Sequence, residues 1–379
     1  MNRILIAPAR YIQGPGALGD LGAEAARLGR KAFVIGGRRA LDETRATIEE
    51  GFGRAGAEAV FETFRGECTV GEIHRLGAGA RADACDVVIG VGGGKTLDSA
   101  KAVAEVCGLP AVVAPTIAAS DAPCSALYDI YSEDGVFERS CELPRNPQVV
   151  LVDTAVIAKA PTRFLVAGMG DALSTWFEAD ACDRSSAANL PGGRSTASAL
   201  HLARLSYEII VEHGAAAQLA CERGIVTEAL EQVVEANILI SGIGFESSGL
   251  AASHALHDGF TILPEARGSC HGERVAFSTL VQMVMENRAA REIEEVLGFC
   301  LRVGLPVTLA QIGVVDASEE HLMAAAMFAA RPDSIMHNMP FPVDPGMVYR
   351  AIVGADAIGR AYRQRCGDWA DIPTPDGSA

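Results

Sequence analysis

Short apolar runs alternate with helical segments over the first part of the chain. The runs are KAFVIGG (31–37), AVFETF (59–64), DVVIGVGGG (86–94), AVVAPT (111–116) and VVLVDT (149–154). Most are continuous in apolar residues and do not alternate with polar ones, which is typical of strands buried on both faces. The pattern therefore predicts an α/β domain whose parallel sheet is covered by helices on both sides.

The pattern changes after Pro161. Long segments rich in Ala and Leu recur with helical spacing, and we predict no further strand. Asp153 and Thr154 offer a helix cap, and Pro161 offers a helix start. We therefore predict an α/β domain over 1–160 and an all-α domain over 161–379, ending in a short polar tail, DIPTPDGSA. A cleft between two such domains is a common place for a ligand.

Composition excludes several classes of function. With 32 Lys and Arg against 48 Asp and Glu, the formal charge is −16, which repels nucleic acid and anionic lipid. No segment has the length of a membrane span, and the N-terminus does not have the pattern of a signal peptide. We expect a cytoplasmic protein with neither nucleic-acid nor membrane partners. The 10 cysteines include no C-x-x-C pair, so we expect reduced, mostly buried thiols.

The segment GVGGGKTLDSAK (90–101) joins a buried strand to a helix through consecutive glycines. Glycines let the backbone approach a ligand closely, and the free amides at a helix start favour a phosphate. A plain strand-to-helix turn is the alternative interpretation. The P-loop of a nucleotide hydrolase is a weaker match, because its leading glycine would fall on Ile89. We interpret the segment as a cradle for a pyrophosphate.

The next loop, APTIAASDAPCSALYDIYSEDG (114–135), ends in a hairpin-like stretch. Thr116, Ser120, Asp121 and Ser125 carry hydrogen-bonding groups near the C-terminal edge of the predicted sheet, where ligands gather. Each of them could equally be a local turn cap. No Lys or Arg lies between Lys101 and Arg139. Because anionic substrates are usually held by cations, the loop favours a neutral, hydroxylated substrate.

The residues suited to bind a metal lie in the helical part. His254 and His257 are one helical turn apart, and His271 follows after a loop that can fold back. With Asp171, two histidines give a nitrogen and oxygen site for Zn²⁺ that leaves a position open for substrate. A lone histidine is more often a core or surface residue, which is how we interpret His74, His201, His213 and His321.

Motifs in this order along nearly the whole chain resemble those of the glycerol dehydrogenases in the iron-containing alcohol dehydrogenase and dehydroquinate-synthase-like superfamily. They are YIQGPGAL (11–18), GVGGGKTLDSAK, APTIAASDAPCSALY, NPQVVLVDTAVIAKAPTRFLVAGMGDALSTWFEA (146–179), VTEALEQVVEANILISGIGFESSGLAASHALHDGF (226–260), HGERVAF and IMHNMPFPV (335–343). The resemblance implies a Rossmann-like dinucleotide-binding domain, a helical metal-binding domain, and a ring-like homo-oligomer, often an octamer.

The resemblance also implies roles for single residues. The family's metal ligands, which also hold the substrate, fall on Asp171, His254 and His271, and a substrate hydroxyl contact falls on Asp121. Iron-dependent relatives carry a fourth ligand at the place of Thr175, so its absence favours zinc. The family's cofactor contacts fall on Gly92, Gly93, Gly94, Lys95, Thr116, Ser125, Leu127 and Tyr131.

Two positions depart from the family pattern. Gly37, followed by Arg38 and Arg39, stands where family members commonly have an Asp that binds the adenosine ribose. Loss of this carboxylate would admit NADP beside NAD. Ala119 replaces a common serine beside the cofactor.

The implied reaction is the reversible NAD-linked oxidation of glycerol, or of a similar vicinal diol, to dihydroxyacetone or the corresponding hydroxyketone. Asp121 would hold a hydroxyl, and His257 would either relay the proton or only pack beside the site. Rivals are a glycerol-1-phosphate dehydrogenase, another polyol or diol dehydrogenase, and a dehydroquinate-synthase-like lyase. A catalytically silent nucleotide-binding protein is a further alternative.

Overall fold

The computed structural model of the chain describes residues 1–366, so the polar tail at 371–379 lies outside the described residues. Its strands are β1 (Tyr11–Gly14), β2 (Lys31–Gly36), β3 (Glu58–Thr63), β4 (Val87–Gly92), β5 (Ala111–Pro115), β6 (Leu127–Tyr131), β7 (Phe137–Glu142) and β8 (Val149–Asp153). Six of them form one parallel sheet in the order β1-β8-β5-β4-β2-β3, and β6 and β7 form an antiparallel hairpin. This sheet confirms the predicted α/β part of the fold.

Helices cover the sheet and then make up the rest of the described chain. The first five are α1 (Leu21–Ala25), α2 (Arg38–Ala55), α3 (Val70–Ala82), α4 (Gly94–Cys107) and α5 (Thr154–Ile157). The others are α6 (Thr162–Ser185), α7 (Ala197–Glu222), α8 (Glu228–Glu235), α9 (Ser241–Ser248), α10 (Ala252–Thr261), α11 (His271–Met285), α12 (Ala290–Val303), α13 (Glu319–Ala329) and α14 (Pro345–Cys366). The fold class is therefore as predicted, while the domain division at residue 160 stays a prediction.

The strand order leaves a crevice at the C-terminal edge of the sheet. The chain runs outward from β2 to β3 at one edge, then returns to β4 on the other side of β2 and continues to β5. At such a reversal the loops after the two central strands diverge, and ligands of open α/β sheets bind between them. Gly37 after β2 and the glycine turn after β4 both lie at this edge.

Asp153 caps the first helix after the sheet, as the sequence predicts. Its Oδ1 accepts hydrogen bonds from the backbone N–H groups of Ala155 and Val156, at 3.0 and 3.3 Å. The same carboxylate accepts from the backbone of Gly16 and Leu18, which ties the segment after β1 to the end of β8. A single carboxylate thus satisfies N–H groups of a helix start and of a neighbouring turn.

Two local features differ from the sequence analysis. β1 is not predicted from sequence, because it has only four residues and gains its hydrogen bonds from β8. The helical spacing in the second part of the chain does not indicate the π-helical turn at Ala236–Ile240, which lies between α8 and α9. Such turns are frequent at functional sites because they shift the side chains that follow.

The cysteines are free thiols, and six of the ten are buried, in agreement with the prediction. Among the described helices, none combines the length and the apolarity that crossing a membrane would require.

Candidate metal centre and cofactor cleft

Three side chains from separate helices converge in the helical part of the molecule. Asp171 lies in α6, His254 in α10, and His271 is the first residue of α11. Asp171 Oδ1 lies 3.4 Å from His254 Nε2 and 3.1 Å from His271 Nε2. One ligand atom from each of the three residues lies within 4.8 Å of those from the other two, so the structure brings together the three predicted metal-binding residues.

Glu178, which the sequence analysis does not single out, holds His254 in place. Its Oε2 lies 2.6 Å from His254 Nδ1, while its Oε1 accepts the backbone N–H groups of Ala251 and His254 at the start of α10. The side chain is fully buried. Glu178 follows Asp171 by two helical turns on the same face of α6, a spacing that could have identified it. Carboxylates behind ligating histidines are common at metal sites, since they fix the ring and its tautomer.

The electrostatics of this cluster favour a positive charge. Burial would lower the pKa of His254, yet the carboxylates of Glu178 and Asp171 raise that pKa well above its ordinary value. Burial would raise the pKa of Asp171, yet the imidazoles of His271 and His254 hold it far below its ordinary value. The position between these groups therefore suits a cation, and two imidazole nitrogens with one carboxylate oxygen are ligands that divalent transition metals prefer.

His257 lies behind His271 and does not face Asp171 directly. Its Nε2 is 3.1 Å from His271 Nδ1, and the two ring centroids are 4.2 Å apart. Burial, followed by the charges of His271 and Arg274, lowers the pKa of His257 to about 3, so the ring is neutral. His257 therefore lies in the layer behind the candidate ligands.

Asp121 reaches the same cluster from the loop that follows β5. Its backbone N–H donates to Asp171 Oδ2 at 3.3 Å, and its own Oδ2 accepts from Ser241 Oγ at 2.6 Å. Burial, followed by the charge of Asp171, raises the pKa of Asp121 well above its ordinary value. A substrate hydroxyl between the cluster and this loop would find Asp121 as a hydrogen-bonding partner.

The glycine turn has the geometry expected of a phosphate cradle. Gly92 ends β4 with φ of 153°, and a Cβ there would lie 2.9 Å from Thr96 Oγ1, so only glycine fits. α4 begins at Gly94 without a side-chain cap, which leaves backbone N–H groups at its start available to an anion. Thr116 is joined to this turn, since its N–H donates to Gly92 O at 3.0 Å.

The other candidate cofactor residues are placed by β6. Tyr131 ends this strand, and the Lys95 ammonium lies 5.5 Å from the centre of its ring, so the two flank the glycine turn. Lys95 also forms a 2.6 Å ion pair with Glu67. Leu127 begins β6. Ser125 is fully buried and its hydroxyl donates to Ala122 O, so the structure does not direct this hydroxyl at open space.

Lys101 is a cation that the sequence places outside the second loop and the structure places against it. Its ammonium donates to the carbonyls of Ala122 and Leu127, at 2.9 and 2.6 Å, and lies 3.2 Å from Asp98. The side chain is fully buried. Because these contacts occupy its donors, Lys101 anchors the loop and does not offer a charge to a substrate phosphate.

This chain is similar to alcohol dehydrogenases, and in particular to glycerol dehydrogenases, in both sequence and structure. A sequence model described as iron-containing alcohol dehydrogenase matches residues 8–154. A glycerol dehydrogenase of Citrobacter freundii is 49% identical over 96% of this chain and 100% of its own length. Among solved structures, a probable glycerol dehydrogenase from Sinorhizobium meliloti 1021 has a TM-score of 0.90 at 43% identity, covering 95% of this chain and 99% of that chain. Glycerol dehydrogenase from Schizosaccharomyces pombe has a TM-score of 0.94 at 36% identity, covering 98% and 94%.

Proposed function

Since this chain belongs to the iron-containing alcohol dehydrogenase family, and within it to the glycerol dehydrogenases, we propose that it catalyses the zinc-dependent, NAD-linked and reversible oxidation of glycerol to dihydroxyacetone. A similar vicinal diol, giving the corresponding hydroxyketone, is the closest alternative substrate. The chain is an alcohol dehydrogenase that acts on CH–OH donors, and the substrate, the metal and the product are the proposed part.

The observation that carries the proposal is the convergence of Asp171, His254 and His271. Their donor set fits Zn²⁺, which takes three protein ligands in catalytic sites and leaves one position open. Thr175 supports zinc over iron, because it occupies the place of the fourth ligand in iron-dependent relatives. Its hydroxyl lies 2.8 Å from Ser241 Oγ in a buried contact and is therefore engaged elsewhere.

The chemistry divides between the bound groups and the protein. A zinc ion at this site would act as a Lewis acid on the substrate hydroxyl, and the nicotinamide would accept the hydride. Asp121 accepts a second hydroxyl of the diol and so orients the substrate. Asp171 and Asp121 are 1% and 7% exposed, so both carboxylates are shielded from bulk water.

We retain two candidate roles for His257. As a proton relay, it would pass the alcohol proton toward solvent through its ring nitrogens. As a residue that packs beside the site, it would orient His271, and its contact with His271 Nδ1 favours this second role.

The proposed cofactor site is the crevice at the C-terminal edge of the sheet. Gly92, Gly93, Gly94 and Lys95 would hold the pyrophosphate, with Thr116, Ser125, Leu127 and Tyr131 as further contacts. NAD is the proposed cofactor by family membership. NADP is also admissible, because Gly37 offers no carboxylate to repel a 2′-phosphate and Arg38 beside it is exposed.

Rival substrates with a phosphate are less well supported. A glycerol-1-phosphate dehydrogenase or a dehydroquinate-synthase-like lyase needs cations for its substrate, and the ammonium of Lys101 is already bound to backbone carbonyls.

We further propose a homo-oligomer located in the cytoplasm, as the resemblance and the composition suggest.

The proposal is tested by the initial rate of nicotinamide reduction with glycerol, with NAD⁺ and NADP⁺ in parallel. The enzyme is assayed before and after chelation, and after restoration with Zn²⁺ or Fe²⁺. We expect chelation to abolish the rate and Zn²⁺ to restore it more fully than Fe²⁺. His254→Ala should remain inactive after restoration, whereas His201→Ala, at an exposed position of α7, should match the wild type.

Three results would count against the proposal. A rate that survives chelation, or that His254→Ala retains, would exclude the metal mechanism. Recovery with Fe²⁺ alone would exclude zinc. No reduction of either cofactor by glycerol, with metal restored and other diols active, would exclude glycerol as the substrate.

A further inference from the structure

A chain of polar side chains extends from His271 away from Asp171. His271 Nδ1 lies 3.1 Å from His257 Nε2, and the same His257 Nε2 lies 3.2 Å from an Nη atom of Arg274. On its other side, His257 Nδ1 lies 3.4 Å from Asp258 Oδ1. The proposed metal ligand His271 is thus backed by a histidine and an arginine, whereas His254 is backed by a carboxylate.

The direction of these hydrogen bonds follows from the chemistry of the guanidinium. Arginine has five N–H donors and no acceptor, so His257 Nε2 must accept from Arg274. If His257 Nε2 carried a proton, its N–H group would point at an N–H group of Arg274, and neither could accept a hydrogen bond. Since His257 Nε2 carries the lone pair that accepts from Arg274, the ring proton is on Nδ1, on the side of the Asp258 carboxylate.

The protonation of His271 follows from that of His257. With a lone pair at His257 Nε2, His271 Nδ1 must be the donor in their 3.1 Å contact. A neutral His271 ring then has its lone pair on Nε2, the atom that lies 3.1 Å from Asp171 Oδ1. This is the tautomer in which Nε2 can bind a metal ion.

We propose that Arg274 and His257 are positioning residues that fix the tautomer and the orientation of His271, so that its Nε2 is ready to bind the metal. This inference rests on the metal site proposed above. It assigns a task to His257 that requires no proton transfer, and it brings in Arg274, which belongs to the motif HGERVAF but receives no role from the sequence.

The surroundings of Arg274 support a fixed guanidinium. One Nη atom donates to the carbonyl of Ala266 at 3.1 Å, to the carbonyl of Ser269 and to the Ser269 hydroxyl. Its Nε is buried and has no hydrogen-bond partner in the described structure. Since Nε has no partner, the guanidinium is placed by the contacts of its two Nη atoms. These contacts offset the free-energy cost of burying the unpaired Nε–H group.

His271 is also the ligand that most needs such support. Its side chain is 39% exposed, against 14% for His254, whose ring is held between Glu178 and Asp171. Second-layer partners of metal-binding histidines typically contribute about 10- to 100-fold in metal affinity. His257 contacts Nδ1 of the His271 ring and Arg274 holds His257, so these two side chains can supply this contribution.

The test measures the affinity of the metal-free full-length protein for Zn²⁺, by competition with a chromogenic chelator at neutral pH. His257→Leu removes the acceptor, and we expect about 10- to 100-fold weaker binding. Arg274→Met keeps the apolar stem and removes the donors, and should weaken binding in the same direction. Arg274→Lys keeps a donor-only cation and should recover most of the loss.

Arg163→Met is the matched control for a purely structural role. Like Arg274, Arg163 anchors the segment before α11, through Gly268 O and Glu273, but it contacts no histidine. If Arg163→Met weakens Zn²⁺ binding as much as Arg274→Met, anchoring of the segment explains the effect and the proposal is overturned. It is also overturned if both His257→Leu and Arg274→Met bind Zn²⁺ like the wild type.

A second measurement does not depend on variants that fold. Nitrogen NMR of the metal-free, histidine-labelled wild type should show His271 with its proton on Nδ1. A proton on Nε2 of the neutral ring would overturn the proposal. The metal site itself is judged separately, because failure of the wild type to bind Zn²⁺ would refute the proposed function, whereas wild-type binding with unaffected variants would refute only the roles of Arg274 and His257.

Discussion

Ser241 donates its hydroxyl proton to Oδ2 of Asp121 across 2.6 Å, and this contact links α9 to the loop after β5. Because the Ser241 proton is used in that bond, its oxygen accepts from Thr175 Oγ1, which lies 2.8 Å away. Ser241 is the first residue after the π-helical turn at Ala236–Ile240. The turn thus places the serine that orients the proposed substrate-binding carboxylate.

We predict that Ser241→Ala raises KM for glycerol about tenfold or more. Leaving a buried oxygen of Asp121 without its donor costs about 1–3 kcal/mol, and an unrestrained Asp121 side chain would orient the second hydroxyl less well. Thr175→Val should act in the same direction with a smaller effect, since it contacts Asp121 only through Ser241. Steady-state kinetics with glycerol as the varied substrate measures both.

Ser206→Ala is the control for this prediction. Ser206 is also buried, and its hydroxyl contacts the backbone of Ala236 and does not reach Asp121. An equal change in KM for Ser206→Ala and Ser241→Ala would show that loosening of the helices, and not the orientation of Asp121, is responsible.

The metal cluster shows which residues of a site can be predicted from the sequence and which cannot. Asp171, His254 and His271 are predictable because two histidines at helical spacing, a third after a loop and a carboxylate match a known ligand set. Glu178 and Arg274 are not predicted, because the histidine that each contacts is set by how α6, α10 and α11 pack against one another. Glu178 and His254, for example, are separated by 76 positions.

The fold shows the same limit. The apolar runs predict the five strands from β2 to β5 and β8, since most of these runs have the clear pattern of a strand buried on both faces. β1 is too short for a pattern, and the π-helical turn changes hydrogen bonds without changing the apolar periodicity. Lys101 is read from sequence as a charge outside the loop, and only its burial shows that it holds the loop.

Glu178→Gln should weaken Zn²⁺ binding about 10- to 100-fold. The amide oxygen would accept the two backbone N–H groups at the start of α10, which turns the NH₂ group toward His254 Nδ1. This places a lone pair on Nδ1 and the proton on Nε2, the atom that faces Asp171. Chelator competition with the metal-free protein measures the change.

Glu286→Gln is the matched variant, because Glu286 is a buried carboxylate of the same region that pairs with Arg184 and Arg288 and does not contact a candidate ligand. It should leave Zn²⁺ affinity unchanged. If Glu178→Gln retains wild-type affinity, Glu178 does not set the tautomer of His254.

Gly37→Asp should shift cofactor preference toward NAD. Gly37 has φ of −63° and ψ of 150°, and a Cβ added there meets nothing within 4 Å, so a side chain fits without strain. A carboxylate would accept from the ribose hydroxyl and repel a 2′-phosphate. One charged hydrogen bond of about 1.5 kcal/mol corresponds to about a tenfold change in the ratio of kcat/KM for NAD⁺ over NADP⁺.

Gly37→Asn adds a side chain of the same size without the charge, and should change this ratio less than Gly37→Asp. If the two variants give the same ratio, size at this position and not charge controls the preference. If neither changes it, residue 37 does not contact the ribose.

Glu246→Gln should change how stability depends on pH. Glu246 is buried in α9, and its two oxygens accept from Ala126 N and Asn146 Nδ2, each at 2.5 Å. Burial raises its pKa from 4.5 to about 7, although these two hydrogen bonds lower it in part. Between these values the folded protein holds a proton that the unfolded chain has lost. Stability of the wild type therefore falls as pH rises through this window, by roughly 3 kcal/mol at most.

A neutral glutamine does not titrate, so the melting temperature of the wild type should fall relative to that of Glu246→Gln as pH rises from about 5 to about 8. Thermal melts of the two proteins across this range measure the difference, in which titrations common to both cancel. Glu50→Gln makes the same charge change at an exposed position of α2, where solvent screens the carboxylate, and should show no such trend. A difference between wild type and Glu246→Gln that stays constant with pH would show that burial does not perturb this carboxyl. The hydrogen bond that joins Glu246 in α9 to Ala126, just before β6, would then be equally strong at any pH in that range.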